Sequence, residues 1–220
     1  MTTTLVINGA ALLADPSGAL FWPAAATLVV ADLHLEKGSG FARRGTLLPP
    51  YDSAATLRRL AAAVDAHRPR RVLCLGDSFH DAHAPKRLES GEIAILAELT
   101  RRTDWIWIAG NHDPDPPKGL GGRVASEVTE GPLVFRHEAH PDAIAGEVSG
   151  HFHPKASIPT RGRRVSARCF VEDGNRLILP AFGAYAGGLD VFDPAIRGLL
   201  ARDFAVHVIG RERVHRFACR

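Results

Sequence analysis

Three short polar runs each follow an apolar run: Asp32-Leu33-His34 after Thr27–Ala31, Gly76-Asp77 after Arg71–Leu75, and Gly110-Asn111-His112-Asp113 after residues 105–109. Downstream stand His137 and Gly150-His151-Phe152-His153. The donors are carboxylates, imidazoles and an amide oxygen without a thiolate, a set that suits Mn²⁺, Fe or Zn²⁺ better than a structural zinc finger. If the strand direction continues, Asp32 and His34 face one side, and His151 and His153 do the same from another loop. Asp77, at a tight glycine turn, is placed to bridge. A carboxylate between two ions roughly 3.5 to 4 Å apart holds them where one phosphate spans both, an arrangement for in-line displacement at phosphorus. Glycines beside Asp77, Asn111 and His151 let the backbone approach closely. Each piece alone is ordinary, since Asp-x-His arises by chance and Gly-Asp is usually a turn. Their conjunction, in one order and directly after strand patterns, marks them as a set.

The apolar runs 27–31, 71–75 and 105–109 are continuous, as in strands buried on both faces of a sheet. In open α/β sheets sites gather beyond the carboxyl ends of the strands, so groups distant in sequence can converge there. Between the runs, Asp52 or Ser53 is placed to cap a helix carrying Leu57, Leu60, Ala61 and Val64 at helical spacing, and a second helix over 91–102 turns Ile95, Leu96 and Leu99 inward. The Gly- and Pro-rich stretch 38–50 reads as a loop, and Asp15-Pro16-Ser17-Gly18 as the turn of an early hairpin. The second half is richer in strands, at 133–135, 169–171, 177–179 and a tail with Val206, Val208, Val214 and Phe217.

With 220 residues, 45% hydrophobic and 23% charged, the chain has the composition of a globular protein, and one domain over 1–220 is expected. The net charge is +3, without a block of basic residues. Cys74, Cys169 and Cys219 are odd in number and lack C-x-x-C spacing, which points to a reducing compartment. Apolar runs fall short of the roughly 18 residues of a membrane span, and MTTTLVINGA lacks a basic leader, so a cytoplasmic location is expected. Gly119-Leu120-Gly121-Gly122 follows no strand and is not a dinucleotide fingerprint, and His34-Leu35-Glu36 lacks the P-C-x-x-C of a deaminase.

Taken together, Asp32-x-His34, Gly76-Asp77, Gly110-Asn111-His112-Asp113, His137 and Gly150-His151-x-His153 resemble the full signature of the calcineurin-like metallophosphoesterases. That resemblance implies an α/β (α+β) fold, a four-layer αββα sandwich. More narrowly, Asp32-Leu-His-Leu-Glu-Lys37, Phe41-Ala-Arg-Arg-Gly45, Pro49-Pro-Tyr-Asp52, Pro180-Ala-Phe-Gly183 and Gly187-Gly188 resemble the ligase-associated DNA damage response endonucleases. The resemblance implies a first metal held by Asp32, His34, Asp77 and His153, and a second held by Asp77, Asn111, His137 and His151. His137 is preferred to His140, which is placed outside the site. The ions would be Mn²⁺ first, with Fe or Zn²⁺ as alternatives, and phosphodiester hydrolysis would use a hydroxide activated by the two-metal centre. His112 corresponds to the family histidine that stabilises the transition state or protonates the leaving oxygen, with Asp113 orienting its ring.

DNA is the implied substrate, in repair, with a DNA ligase and a helicase as partners and no membrane. Lys37, Arg43 and Arg44 are candidates for phosphate contact, and Phe41, Tyr51 and Phe152 for base stacking. His80 and His83 read as a polar loop. Arg58, Arg59, Arg163 and Arg164 are scattered basic residues that folding can gather. Two alternatives stay open: a small-molecule phosphoesterase acting on a nucleotide-sugar or cyclic nucleotide, and a metal-dependent scaffold without turnover.

Overall fold

The computed structural model describes residues 1–115, 118–142, 144–160 and 162–220, with all their side chains except those of residues 118, 159, 160 and 163. Apolar runs become strands where both of their faces can be covered. In Thr27–Ala31 (β4) every residue is buried, and alternate side chains enter different cores. Val29 and Ala31 meet Leu73, Ile106, Leu133, Phe135, Val148 and Phe170 in a core between two sheets. Leu28 and Val30 point the other way, against helix residues Leu57, Leu60, Leu96 and Leu99.

The first sheet runs β1 (Thr3–Ile7), β2 (Ala10–Ala14), β3 (Leu20–Trp22), β4, β5 (Arg71–Leu75), β6 (Asp104–Ile108) and β7 (Arg123–Ala125) in spatial order. It is antiparallel up to β4 and parallel from there on. Helices α1 (Lys37–Ala42), α2 (Asp52–His67) and α3 (Ser90–Arg102) fall in the β4–β5 and β5–β6 connections, and α2 and α3 cover the outer face. The second sheet contains β8 (Glu127–Glu130), β9 (Leu133–Arg136), β10 (Glu147–Ser149), β11 (Lys155–Thr160), β12 (Arg163–Glu172), β13 (Arg176–Ile178), β14 (Phe204–Ile209) and β15 (Val214–Cys219). Its spatial order is β15-β14-β12-β13-β10-β9-β8, with β11 on β12. The far side of this sheet is covered by the four-residue α4 (Pro194–Arg197) together with Val191 and Leu200. The layering is therefore αββα with a thin last layer. Among the described residues no helix is long and apolar enough to cross a membrane.

Several elements differ from expectation. The Asp15–Gly18 turn joins β2 to β3 as expected, and a second hairpin precedes it, with Asn8 (φ 45°) and Gly9 (φ 81°) both left-handed as a tight two-residue turn requires. The stretch 38–50 holds α1 instead of only loop. Asp52 and Ser53 do not cap α2, whose N-cap is Tyr51. Both are buried beneath α1, where Asp52 Oδ2 accepts the Gly38 N–H at 2.9 Å, and Ser53 Oγ accepts the Glu36 N–H at 2.7 Å and donates to Glu36 Oε1 at 2.8 Å. A helix of six residues with two glycines is not stable by itself, so these bonds define it. Ser53→Ala is expected to cost about 1–2 kcal/mol, because it leaves a buried N–H and a carboxylate oxygen without a partner; urea denaturation measures this.

Behind the site, the fully buried Glu147 on β10 pairs with Arg176 of β13 at 2.6 Å (Nε to Oε2), and Arg176 is only 2% exposed. The Arg176 guanidinium also donates to the carbonyls of Leu199 at 2.6 Å, His140 at 2.7 Å and Asp142 at 2.9 Å. One side chain thus ties the segment after His137 to the second sheet.

Candidate metal centre

The three parallel strands β4, β5 and β6 deliver Asp32, Asp77 and Asn111 to one end of the first sheet. Past Ala31 the chain is no longer a strand. Asp32 (φ 54°), His34 (φ 44°) and Glu36 (φ 64°) alternate in left-handed conformations, as do His151 (φ 69°) and His153 (φ 49°), and Asp77 has φ 46°. The shared facing of Asp32 and His34 therefore comes from a repeated left-handed kink, not from strand continuation. Such backbone is unfavourable outside glycine, and its concentration on five of the seven candidate ligands is the pattern of strain held at a functional site.

Hydrogen bonds hold the kinks. The His34 and Leu35 N–H groups donate to the carbonyls of Asp77 and Ser78, both at 2.9 Å. The Phe182 and Gly183 N–H groups donate to the carbonyls of Ala31 at 2.8 Å and Asp32 at 3.0 Å, which gives the Pro180-Ala-Phe-Gly183 motif a physical role. The Arg59 guanidinium caps the Phe182 carbonyl and lies 4.6 Å over its ring, so it is not free for a substrate. Two glycines are required by closeness: a Cβ on Gly110 would sit 2.2 Å from the Asp77 nitrogen, and one on Gly150 would sit 2.5 Å from Asp32 Oδ2.

Six of the seven candidate ligands fall into two groups whose donor atoms lie within 4.8 Å of one another: Asp32, His34 and His153, and Asp77, His137 and His151. In the first, His34 Nε2 is 3.2 Å from His153 Nε2, which is 3.5 Å from Asp32 Oδ1. In the second, His137 Nε2 is 3.6 Å from Asp77 Oδ1, 3.2 Å from His151 Nδ1 and 2.8 Å from Asn111 Oδ1, which brings in the seventh. Asn111 Oδ1 is 3.1 Å from His151 Nδ1. The groups adjoin, since Asp32 Oδ1 also lies 3.7 Å from His137 Nδ1 on the ring's far edge. His140 is exposed and belongs to neither group.

The electrostatics suit cations. Asp32 is fully buried, and its Oδ1 has no hydrogen-bond partner, a costly state for a carboxylate unless a positive charge faces it. Burial, and next the neighbouring His153, push the His34 imidazole down to about 2, so it stays neutral with a lone pair to offer. His137 Nδ1 lies 3.0 Å from the Leu75 carbonyl, which can only accept, so Nδ1–H has a partner there and Nε2 is the nitrogen turned toward the group. His151 Nε2 faces the Glu138 carboxylate at 3.6 Å, leaving Nδ1 inward. Separations near 3.2 Å between nitrogen donors match the edge of a coordination shell with bonds of about 2.1 Å. The residues fit divalent ions.

Around the groups, His112 Nδ1 lies 2.9 Å from the His80 carbonyl, so that carbonyl orients the ring, and Asp113 does not. Asp113 is buried and accepts the Phe79 N–H at 3.0 Å, and burial pushes its carboxyl up to about 7. His80, read from sequence as part of a polar loop, is buried against the site, whereas His83 is exposed. No local signal in the sequence marked His80, because Gly40, whose Cβ would lie 2.7 Å from the His80 ring, is brought opposite it only by the fold. Lys37 is partly buried at the start of α1, and the exposed Arg43 and Arg44 line a groove of about 410 Å³ with Gly40, Asp81, His83 and Arg87. Arg87 is already held by Asp81 at 2.7 Å. Tyr51 is exposed, Phe41 stacks on His80, and Phe152 packs edge-on against His151. Arg58 and Arg164 are exposed, and the Arg163 side chain lies outside those described.

Among solved structures, the crystal structure of Pseudomonas putida nuclease MPE is similar, with 28% identity, coverage of 99% of this chain and 100% of that one, and a TM-score of 0.77. A phosphoesterase from E. coli, Yfce, matches at 14% identity over 88% of this chain and 99% of that one, with a TM-score of 0.43. A search of curated proteins found no match. The family model for calcineurin-like phosphoesterases matches residues 26–175, a span that contains every candidate ligand from Asp32 to His153. The chain belongs to the calcineurin-like phosphoesterase family and is a phosphoric ester hydrolase.

Proposed function

We propose that the chain is a metal-dependent phosphodiesterase that cleaves DNA as an endonuclease in repair, alongside a DNA ligase and a helicase in the cytoplasm. The observation that carries the reading is the pair of adjoining all-nitrogen-and-oxygen donor groups, with the buried Asp32 Oδ1 left without a hydrogen-bond partner. The nuclease similar to this chain over nearly its full length supports a nucleic-acid substrate. Asp32, His34, Asp77 and His153 would hold one ion, and Asp77, Asn111, His137 and His151 the other, with Mn²⁺ the first choice for this donor set. When bound, the ions would lower the pKa of an attacking water and neutralise charge on the phosphoryl oxygens.

The chain's own residues do the rest. His112, with Nδ1–H donated to the His80 carbonyl, turns Nε2 outward; as the imidazolium it would hand the Nε2 proton to the leaving oxygen and return to the neutral ring that keeps its Nδ1 proton. Its backbone N–H donates to Asp77 Oδ1 at 2.9 Å, so the acid and the bridging carboxylate are set by one turn. Asp113 acts indirectly by holding the Phe79 N–H in the turn after Asp77. Arg43 and Arg44 line a groove able to take a phosphate of the same strand.

The test strips the purified protein with a chelator, restores Mn²⁺, and compares DNA, an aryl phosphodiester and an aryl phosphomonoester. Cleavage of DNA and of the diester that returns with Mn²⁺ is the expected result. Diester turnover with intact DNA would replace the substrate by a small molecule, and no turnover with any of Mn²⁺, Fe²⁺ or Zn²⁺ would leave a scaffold.

A further inference from the structure

Three rings lie in a row beside the centre. Phe41 of α1 stacks on His80, with centroids 5.7 Å apart and planes at 25°, and His80 stacks on His112, at 5.5 Å and 23°. The edge of His112 meets His34 at 5.3 Å and 85°. His80 is 94% buried by its 6% exposure, and neither of its ring nitrogens has a partner, so its polar atoms are not what holds it. Its backbone is fixed independently, by its N–H on the Leu35 carbonyl at 2.9 Å. His112, by contrast, is exposed. A side chain on an exposed turn keeps one orientation only when neighbours impose it, and here the neighbours are a carbonyl on one edge and the His80 face.

We propose that His80 is a positioning residue: its ring, backed by Phe41, holds the face of His112 so that Nε2 stays directed at the leaving oxygen. This rests on the phosphodiesterase reading above. An aromatic pair of this kind biases a population by about two- to tenfold. The work is done by the flat face and not by the nitrogens, which gives the proposal its sharpest consequence. Phenylalanine at residue 80 keeps the face, and alanine removes it.

The experiment measures kcat and KM of the Mn²⁺-loaded protein on two diesters, a dinucleotide with an alkoxide leaving group and a nitrophenyl nucleotide diester. A nitrophenolate needs no proton to depart, so a misplaced acid harms only the dinucleotide. His80→Ala is expected to lower kcat on the dinucleotide about tenfold, to change the nitrophenyl diester less than about twofold, and to leave KM and bound Mn²⁺ unchanged. His80→Phe is expected to recover most of the dinucleotide rate. In a His112→Ala background, His80→Ala is expected to add nothing, because both changes remove one function.

Equal loss on both substrates, loss of Mn²⁺, additive effects with His112→Ala, or a His80→Phe variant as slow as His80→Ala would each overturn the proposal. Should His80→Ala fail to fold, Phe41→Leu tests the same row from its half-buried outer ring, with an expected two- to threefold loss confined to the dinucleotide. Wild-type protein inactive on both diesters would instead bring down the phosphodiesterase reading, and this one with it.

Discussion

Asp32→Asn is expected to lower kcat/KM for phosphodiester hydrolysis by about a hundred- to a thousandfold, while making the metal-free protein more stable. The two effects have one origin. Asp32 is fully buried, its Oδ1 has no hydrogen-bond partner, and imidazole nitrogens of His153 and His137 stand off at 3.5 and 3.7 Å. In the absence of a cation this charge is a liability, and an amide of the same shape removes it. Asparagine tolerates the left-handed backbone at φ 54°, and its amide oxygen can still accept the His151 N–H that Oδ2 now accepts at 2.9 Å. The metal-free variant should gain about 1–3 kcal/mol, a rise in Tm of about 2–12 °C for a chain of this size. Added Mn²⁺ should then stabilise the wild type by much more than the variant, since only a binder of the native state raises stability. Thermal melts with and without Mn²⁺, beside a diesterase assay, measure all of this. A variant that is less stable without metal would contradict the view that Asp32 is kept for a cation.

The second large effect concerns stability. Arg176→Ala should destabilise the fold by about 3–5 kcal/mol, because removing one partner leaves the other charge buried. Glu147 would be left with Arg136 at 3.4 Å and the His140 N–H at 2.8 Å, and three carbonyls would lose their donor. For this chain length the change corresponds to a Tm lower by about 6–20 °C. Replacing both charges, Arg176→Met with Glu147→Leu, should recover much of the loss, as buried pairs exchanged for apolar side chains often do. Urea titrations of the single and double variants decide the matter. A loss under about 1 kcal/mol for Arg176→Ala would mean that Arg136 takes over the partnership.

The contrast between these residues shows what was legible in the sequence. The strands β4, β5 and β6 were readable because burial on both faces leaves an uninterrupted apolar run, and the candidate ligands were readable because they stand where those runs stop. Helix α1 was not, since Lys37-Gly38-Ser39-Gly40-Phe41-Ala42 has poor helix propensity and is fixed by Asp52 and Ser53 from the next helix. Those two residues had the composition of a cap and a different use. The pairing of Asn8 with Gly9 was a local hairpin signal left unread. Strand β10 is three residues, one of them the buried Glu147, and no periodicity can reveal it. Arg176 resembles any solvated arginine until Glu147 is placed opposite. In the site, convergence was legible and orientation was not: which carbonyl holds His112, what Asp113 binds, and that His80 lies flat between two rings all depend on contacts between segments distant in the chain.

The clamp formed by Phe182 and Gly183 has a consequence for synthesis. All seven candidate ligands have been translated once His153 is made, yet the carbonyl of Asp32 finds its Gly183 donor only thirty residues later. Those residues also include β12 and β13, which close the sheet beneath Ser149 and the loop of His151 and His153. At roughly 5–20 residues per second, a growing chain passes through this interval with its ligands made but unassembled. The candidate metal centre therefore matures only after Gly183 has been made, and a prematurely terminated product ending near residue 153 would carry every candidate ligand and is expected to remain inert.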